Sequence, residues 1–234
     1  MGQQDRTAGV RWILRDIRFD TPIFTIAETH RHLAIPETTV ARWMATDVAG
    51  KPLVHRLTPA SPQAPSVPFV AVVETFVLRF LREHGMGLQE ISTAVRKVRR
   101  VIRSEYALAS KRITTDGVDV IIDVSRRSNA REWVRARDDQ AAFREVIERY
   151  LLNIEWDSDD KACRLTLPTY EGADVIVDPR FGLGQPVLAQ QKVRVQDLVD
   201  AWWGGDRIED IAREYRVPFP EAEAAIRAAT KHAA

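Results

Sequence analysis

The sequence predicts a mainly α-helical fold with small β-hairpins: a winged helix-turn-helix N-terminal domain, a mixed α/β middle and a C-terminal three-helix helix-turn-helix domain. Three observations carry this. Apolar residues recur at helical spacing in two groups of short helices, each broken over a few residues. A stretch holding Pro52, Pro59, Pro62, Pro65 and Pro68 interrupts the first group and reads as a wing or linker. Beyond a short wing strand, alternating, turn-punctuated runs lie between Lys111 and Leu188. The expected limits are residues 1–104, 105–168 and 169–234.

In chain order, Thr25 and Glu28 have the spacing of a capping box, in which each side chain satisfies an orphan backbone N–H. The helix they open runs to about Leu33. Pro36 disfavours helix at Ile35 and suits a helix start, so a second helix follows from Glu37 to about Ala45. Ile26, Ala27, Leu33, Ile35, Val40 and Trp43 are the expected core of this unit. Leu53–Leu57 reads as a short wing strand. A strong helix spans Phe69 to about His84, with Phe69, Val73, Phe76, Val77, Phe80 and Leu81 inward. The next helix carries Leu88, Ile91, Val95, Val98 and Ile102, a narrow seam suited to a dimer contact, flanked by Arg96, Lys97, Arg99, Arg100 and Arg103.

Lys111–Val124 reads as two strands around an Asp116-Gly117 turn. Asp138 or Asp139 is the expected cap of a helix to about Leu152, with Phe143, Val146, Ile147, Tyr150 and Leu151 on one face. Asn153–Leu167 reads as a hairpin turning at Asp157–Asp160. Val175–Pro179 reads as a strand that returns through Phe181–Leu188. Three helices follow, Val195–Trp203, Ile208–Tyr215 and Pro220–Lys231. Their expected core is Leu198, Val199, Trp202, Ile208, Ile211, Ala212, Val217, Ala222, Ala225 and Ile226.

Composition limits the function class. Among 234 residues, 45% are hydrophobic and 29% charged, the balance of a folded soluble protein. The single cysteine, Cys163, excludes an internal disulfide and fits a reducing compartment. Residues 1–11 are polar and unlike a secretory signal, and no apolar run approaches the roughly 20 residues that span a bilayer. A cytoplasmic protein with no membrane association is expected. The net charge is +1, but residues 1–112 hold 17 Lys/Arg against 10 Asp/Glu. A basic first half followed by an acidic second half suggests a polyanion partner for the first and a different partner for the second, unless the segregation is chance.

In a helix-turn-helix unit the second helix enters the major groove with its N-terminal residues at base edges. Those residues are Glu37, Thr38, Thr39 and Arg42, with Lys51 and Arg56 of the wing placed for phosphates. The C-terminal unit suits DNA less, because Glu221 and Glu223 would meet phosphate at the start of its last helix. Trp203 and Phe219 are its candidates for a protein partner, or else are buried within the chain. Signals for catalysis are weak. His30, His32, His55, His84 and His232 are scattered, and His30 and His32 diverge on their helix. Asp157, Asp159 and Asp160 lack the rest of a calcium loop. Gly182-Leu-Gly184 opens no helix, and Cys163 has no neighbouring histidine. The expectation is a non-enzyme with no cofactor and no metal.

Two stretches carry a resemblance. Phe24–Trp43, with Ala27-Glu28 in the first helix and Thr39-Val40 and Trp43 in the second, resembles the helix-turn-helix of the MerR-like winged-helix superfamily, and Pro68–Ile91 continues it. Val177–Leu188 followed by Ala201–Tyr215 is similar to a small domain family long labelled as of unknown function, whose members occur beside PIN-domain ribonuclease toxins. The combined architecture resembles the two-domain VapB-like antitoxins of VapBC toxin–antitoxin systems. That resemblance implies a homodimeric protein that binds and neutralises a PIN-domain, VapC-like toxin and represses its own operon by binding operator DNA. The competing expectation is a stand-alone, one-component transcriptional regulator that senses a small ligand between its halves.

Overall fold

Residues 16–45, 51–127 and 137–231 are described in the computed structural model. The first described elements are α1 (Ile17–Asp20), β1 (Pro22–Phe24), α2 (Ile26–Leu33) and α3 (Glu37–Met44). The capping box forms at the start of α2. Thr25 Oγ1 accepts from Glu28 N–H at 3.0 Å, and Thr25 N–H donates to Glu28 Oε2 at 2.7 Å. Leu33, Ile35, Val40 and Trp43 are buried and Ile26 packs beside them, whereas Ala27 is exposed.

The wing differs from the expectation. Leu53–Leu57 is loop, held by Val54 N–H on Trp43 O and Leu57 N–H on Ser66 O. The flanking prolines lack the N–H groups that a strand ladder uses. Only β2 (Val67–Pro68) pairs here, antiparallel to β1.

Next come α4 (Phe69–Glu83), α5 (Leu88–Ile102), α6 (Asp116–Arg127) and α7 (Arg137–Leu151). Every residue of α4 from Phe69 to Leu78 is buried, as are Phe80 and Leu81. A helix that is apolar all round belongs in a core. Accordingly α1, β2, α5 and α7 all pack on α4. Tyr150 of α7 stacks on Phe76 at 4.2 Å and donates to its carbonyl at 3.1 Å.

The expected hairpin at Lys111–Val124 is instead a 3-10 turn, Lys111–Thr114, followed by α6. Alternating valines and aspartates suggested strands. However, Val118, Ile121, Ile122 and Ser125 also lie at helical spacing, and all four are buried. Gly117 is not a turn residue: a Cβ there would collide with the Ile113 side chain. This helix also corrects the expected dimer seam. Ile91, Val95, Val98 and Ile102 are buried, and α5 packs along α6; Leu88 alone of the seam is exposed. The described part of α7 is Arg137–Leu151, and the side chains of the expected caps Asp138 and Asp139 lie outside what is described. Phe143, Ile147 and Leu151 are buried there, and Val146 is exposed.

The remaining strands are β3 (Ile154–Trp156), β4 (Ala162–Thr166), β5 (Val175–Val177) and β6 (Val187–Leu188). The two expected hairpins merge into one antiparallel sheet of order β3-β4-β5-β6, in which Leu165 faces both Ile154 and Val177. The expected limit at residue 168 therefore falls within a continuous sheet. The last helices are α8 (Val195–Trp203), α9 (Ile208–Glu214) and α10 (Phe219–Lys231). Their core is as expected except that Ile208 is half-buried and Trp202 is exposed.

The two halves meet at specific points. Gln185 Nε2 donates to Ile23 O at 2.8 Å, and a Cβ on Gly184 would collide with the Ile23 side chain. Arg18 reaches Asp159 in the β3–β4 turn at 2.5 Å. Behind that turn, Asp178 is fully buried and accepts from Arg180 Nη2 at 2.7 Å and Nε at 2.9 Å, and from Arg164 Nε at 3.4 Å. Burial alone would raise its carboxyl, but the hydrogen bonds and charge of Arg180, with Arg164, hold it below the ordinary carboxylate range.

Two stability measurements follow from this packing. Gly205 has φ +99° and open space around it, whereas Gly184 has φ +79° against Ile23. Gly205→Ala is expected to cost about 1–2 kcal/mol from the left-handed backbone, and Gly184→Ala about 1–3 kcal/mol more from overpacking, read from urea midpoints. Asp178 is depressed in the folded state, so its contribution is complete above the unfolded carboxylate pKa and is lost as pH falls through the folded value. The stability margin of wild type over Asp178→Asn should be full at neutral pH and shrink below about pH 4.

Candidate nucleic-acid interface

Val40, Trp43 and Met44, at helical spacing, anchor α3 in the core. The same geometry turns Glu37, Thr38, Ala41, Arg42 and Ala45 outward, with Thr39 half-buried. Four expected readers thus lie on one short helix, three of them exposed. The alanines were missed in the sequence, although small outward residues let the helix backbone come close to a partner. Arg42 can present a planar fork to a guanine edge, and the threonines can donate or accept at bases or phosphates.

The loop beside α3 is fixed from below. Leu53 and Val54 are buried, and Val54 N–H donates to Trp43 O at 3.0 Å. The two expected phosphate contacts, Lys51 and Arg56, are exposed. Lys51 Nζ donates to Glu105 Oε1 at 2.9 Å, which lowers the Glu105 pKa. Arg56 Nε donates to Ser66 Oγ at 3.1 Å.

What holds the loop was not singled out in the sequence. Arg99 of α5 donates from Nη1 to Pro52 O at 2.9 Å, from Nη2 to Leu53 O at 2.8 Å and from Nε to Glu105 O at 2.9 Å. Beneath it lies Glu74, a fully buried carboxylate in the apolar helix α4. Glu74 Oε2 accepts from His55 N–H at 3.2 Å, and Oε1 lies 3.8 Å from Arg99 Nη2 with no hydrogen-bond partner among the described residues. The His55 ring lies tilted against that of Tyr106, with centroids 4.1 Å apart, and the Tyr106 phenol is pushed up by burial and then by the charge of Glu74. One signal was available: Glu74 is a lone carboxylate in the apolar run Phe69–Leu78.

The C-terminal candidates are both exposed, Trp203 at 60% and Phe219 at 42%. They are not brought together. Trp203 lines a cleft of about 280 Å³ with Ala229, while Phe219 starts α10, roughly 15 Å away along that helix. The far wall of the cleft is α2, through Glu28, Arg31 and His32. His32 is buried, with Nδ1 2.9 Å from the Tyr170 hydroxyl, and its carbonyl accepts from Thr169 Oγ1 at 2.8 Å. His30 Nδ1 instead meets Ile35 O. Among the described residues no cluster of His, Cys, Asp or Glu could hold a metal ion, and no helix is long and apolar enough to cross a membrane.

Comparisons with known proteins agree with this arrangement. Residues 22–95 match a family model described as "Putative DNA-binding HTH domain", and residues 175–228 match one described as a protein of unknown function. The chain is 32% identical over 219 residues to the Mycobacterium tuberculosis protein named "Putative antitoxin VapB45", covering 86% of this chain and 91% of that one. It also matches a crystal structure of Rv2018 from M. tuberculosis, with a TM-score of 0.73, 31% identity and coverage of 89% of this chain and 99% of that one.

Arg99→Ala is expected to destabilise the protein by about 3 kcal/mol, because it strands the Glu74 carboxylate and three backbone carbonyls. Urea unfolding would show this, together with new proteolytic cleavage near residues 51–56. Unchanged stability would mean that the loop is held by Leu53 and Val54 alone.

Proposed function

Because the chain belongs to the family of the M. tuberculosis protein named "Putative antitoxin VapB45", we propose that it is a DNA-binding antitoxin that neutralises a PIN-domain ribonuclease toxin and represses its own operon. It acts by binding and carries out no catalytic step. The division of labour follows the chain: the first half reads DNA and the last helices face the toxin.

The observation that carries the DNA arm is the outward face of α3, with Glu37, Thr38 and Arg42 exposed above a buried Trp43 anchor. Arg42 forks onto a base, Thr38 and Thr39 bond bases or phosphates, and Lys51 and Arg56 contact phosphate. Glu37 sits at the helix start, where a carboxylate can accept from a cytosine amino group. The toxin arm rests on the relative's name and on exposed Trp203 and Phe219. A homodimer remains part of this reading, as paired half-sites favour one, but its surface lies outside the buried residues of α5.

A stand-alone regulator would need a ligand pocket between the halves. One cleft there, about 540 Å³, is rimmed by Arg79, Arg227 and Lys231, and the cleft of about 280 Å³ beside Trp203 is lined by Glu28, Arg31 and Arg194, which does not favour a closed apolar sensor site.

The toxin arm is tested by co-expression with the product of an adjacent PIN-domain gene. Stable co-purification with loss of RNA cleavage is expected, and absence of any complex overturns it. For the DNA arm, Arg42→Ala should weaken operator binding by about 1–3 kcal/mol and relax selectivity at one base pair, while unchanged affinity would remove Arg42 from the reading face.

A further inference from the structure

The cleft between α2 and α8 holds a charge that nothing in the described chain answers. Arg31, on the α2 wall, is half-buried. The other half-buried arginines, Arg18, Arg79, Arg99, Arg144 and Arg164, each meet a carboxylate. Arg31 has no ion pair or side-chain hydrogen bond among the described residues. A guanidinium partly withdrawn from water without a partner costs free energy that a bound anion would restore.

The acids around the cleft are engaged elsewhere. Glu28 Oε2 accepts from the Thr25 N–H in the capping box. Asp197 is held by Arg194 at 2.5 Å, and Asp200 accepts from Gln196 Nε2 at 2.7 Å. On the wall opposite Arg31 stands Trp203, its ring mostly exposed. Tyr170, Pro186, Val195 and Val199, all buried, give the space between them an apolar lining. Burial pushes the Tyr170 phenol up and the charge of Arg31 works against that rise, so the guanidinium is felt at this lining. The cleft measures about 280 Å³, just below the ~300–1,000 Å³ of small-molecule sites. It admits a side chain and its neighbour rather than a cofactor.

We propose that this cleft receives one segment of the toxin, an apolar side chain with a carboxylate close beside it: the side chain lies on Trp203 and the carboxylate on the Arg31 fork. This rests on the toxin reading of Trp203 above. An apolar side chain covers the exposed indole and displaces water from the lining. The carboxylate supplies the two acceptors that a planar guanidinium takes in parallel. A phosphate of DNA would satisfy Arg31 as well, but it would leave the indole and the apolar lining uncovered. Arg31 therefore belongs with the toxin contacts, although it stands on a helix of the N-terminal unit.

Anisotropy titrations with the labelled product of the adjacent PIN-domain gene test this. R31A should weaken the complex about tenfold or more and flatten its dependence on salt. W203A should weaken it about thirtyfold or more with the salt dependence of wild type. R31K should restore the salt dependence but only part of the affinity, because lysine offers no fork. R31A/W203A should lose less than the product of the two single losses, since one segment bridges both residues. On a labelled duplex of mixed sequence, R31A should bind as wild type does. An R31A variant that holds the toxin at wild-type affinity, or that loses the duplex instead, overturns the inference and leaves the toxin reading in place. Wild-type protein that captures no toxin overturns both. R31A is expected to keep the wild-type urea midpoint. Should it unfold earlier, R31Q keeps much of the stem and removes the charge, and wild-type affinity there is equally decisive against the inference.

Discussion

Burial of α4 on every side is the constraint from which the rest of the architecture follows. A helix with one apolar stripe needs one partner layer, whereas one with no polar side needs cover all round. The chain supplies it from α1 and β2 on the N-terminal side, α5 after it and α7 further on. A cut of the chain near residue 104 removes α7 from that cover, and a cut near 168 divides the β3–β6 sheet, so one hydrophobic core runs from Ile23 to Ile226. The single buried carboxylate of α4 sets the next constraint. Glu74 is tolerable only because His55 and Arg99 meet it, and those same groups place the loop that flanks α3.

Much of the fold was legible where local signals suffice. The Thr25–Glu28 box, the break at Pro36, the glycine and proline breaks around α8–α10 and the turn at Asp157–Asp160 all depend on residues within a few positions of one another. The failures share a physical cause. In α6 the same valines, isoleucines and aspartates satisfy a two-residue and a near-four-residue period, and packing against α5 decides between them. The α5 seam was rightly seen as apolar, but a helix misread as a hairpin left it without its true neighbour.

The candidate site divides in the same way. Exposure on α3 was legible because a buried Trp43 fixes which face looks out. The Arg99 clamp was not, because its acceptors are backbone carbonyls 46 and 47 residues away, which no side-chain pattern announces. Gly182-Leu-Gly184 forms a short 3-10 turn. Its second glycine makes room for Ile23 across the molecule, which only the tertiary structure reveals.

The contacts between the halves also bear on how the chain is made. Gln185 meets Ile23 across 162 positions, His32 meets Tyr170 across 138, and Arg18 meets Asp159 across 141. Pairings of such long sequence separation slow folding, because loop-closure entropy is spent before the contacts reward it. During synthesis α2 and α3 emerge first, yet Ile23 and His32 stay without their distant partners until the β5–β6 turn has left the ribosome. The helix-turn-helix unit is therefore completed late, with the far half of the polypeptide, and a nascent or shortened chain presents an apolar surface where the finished protein presents a closed one.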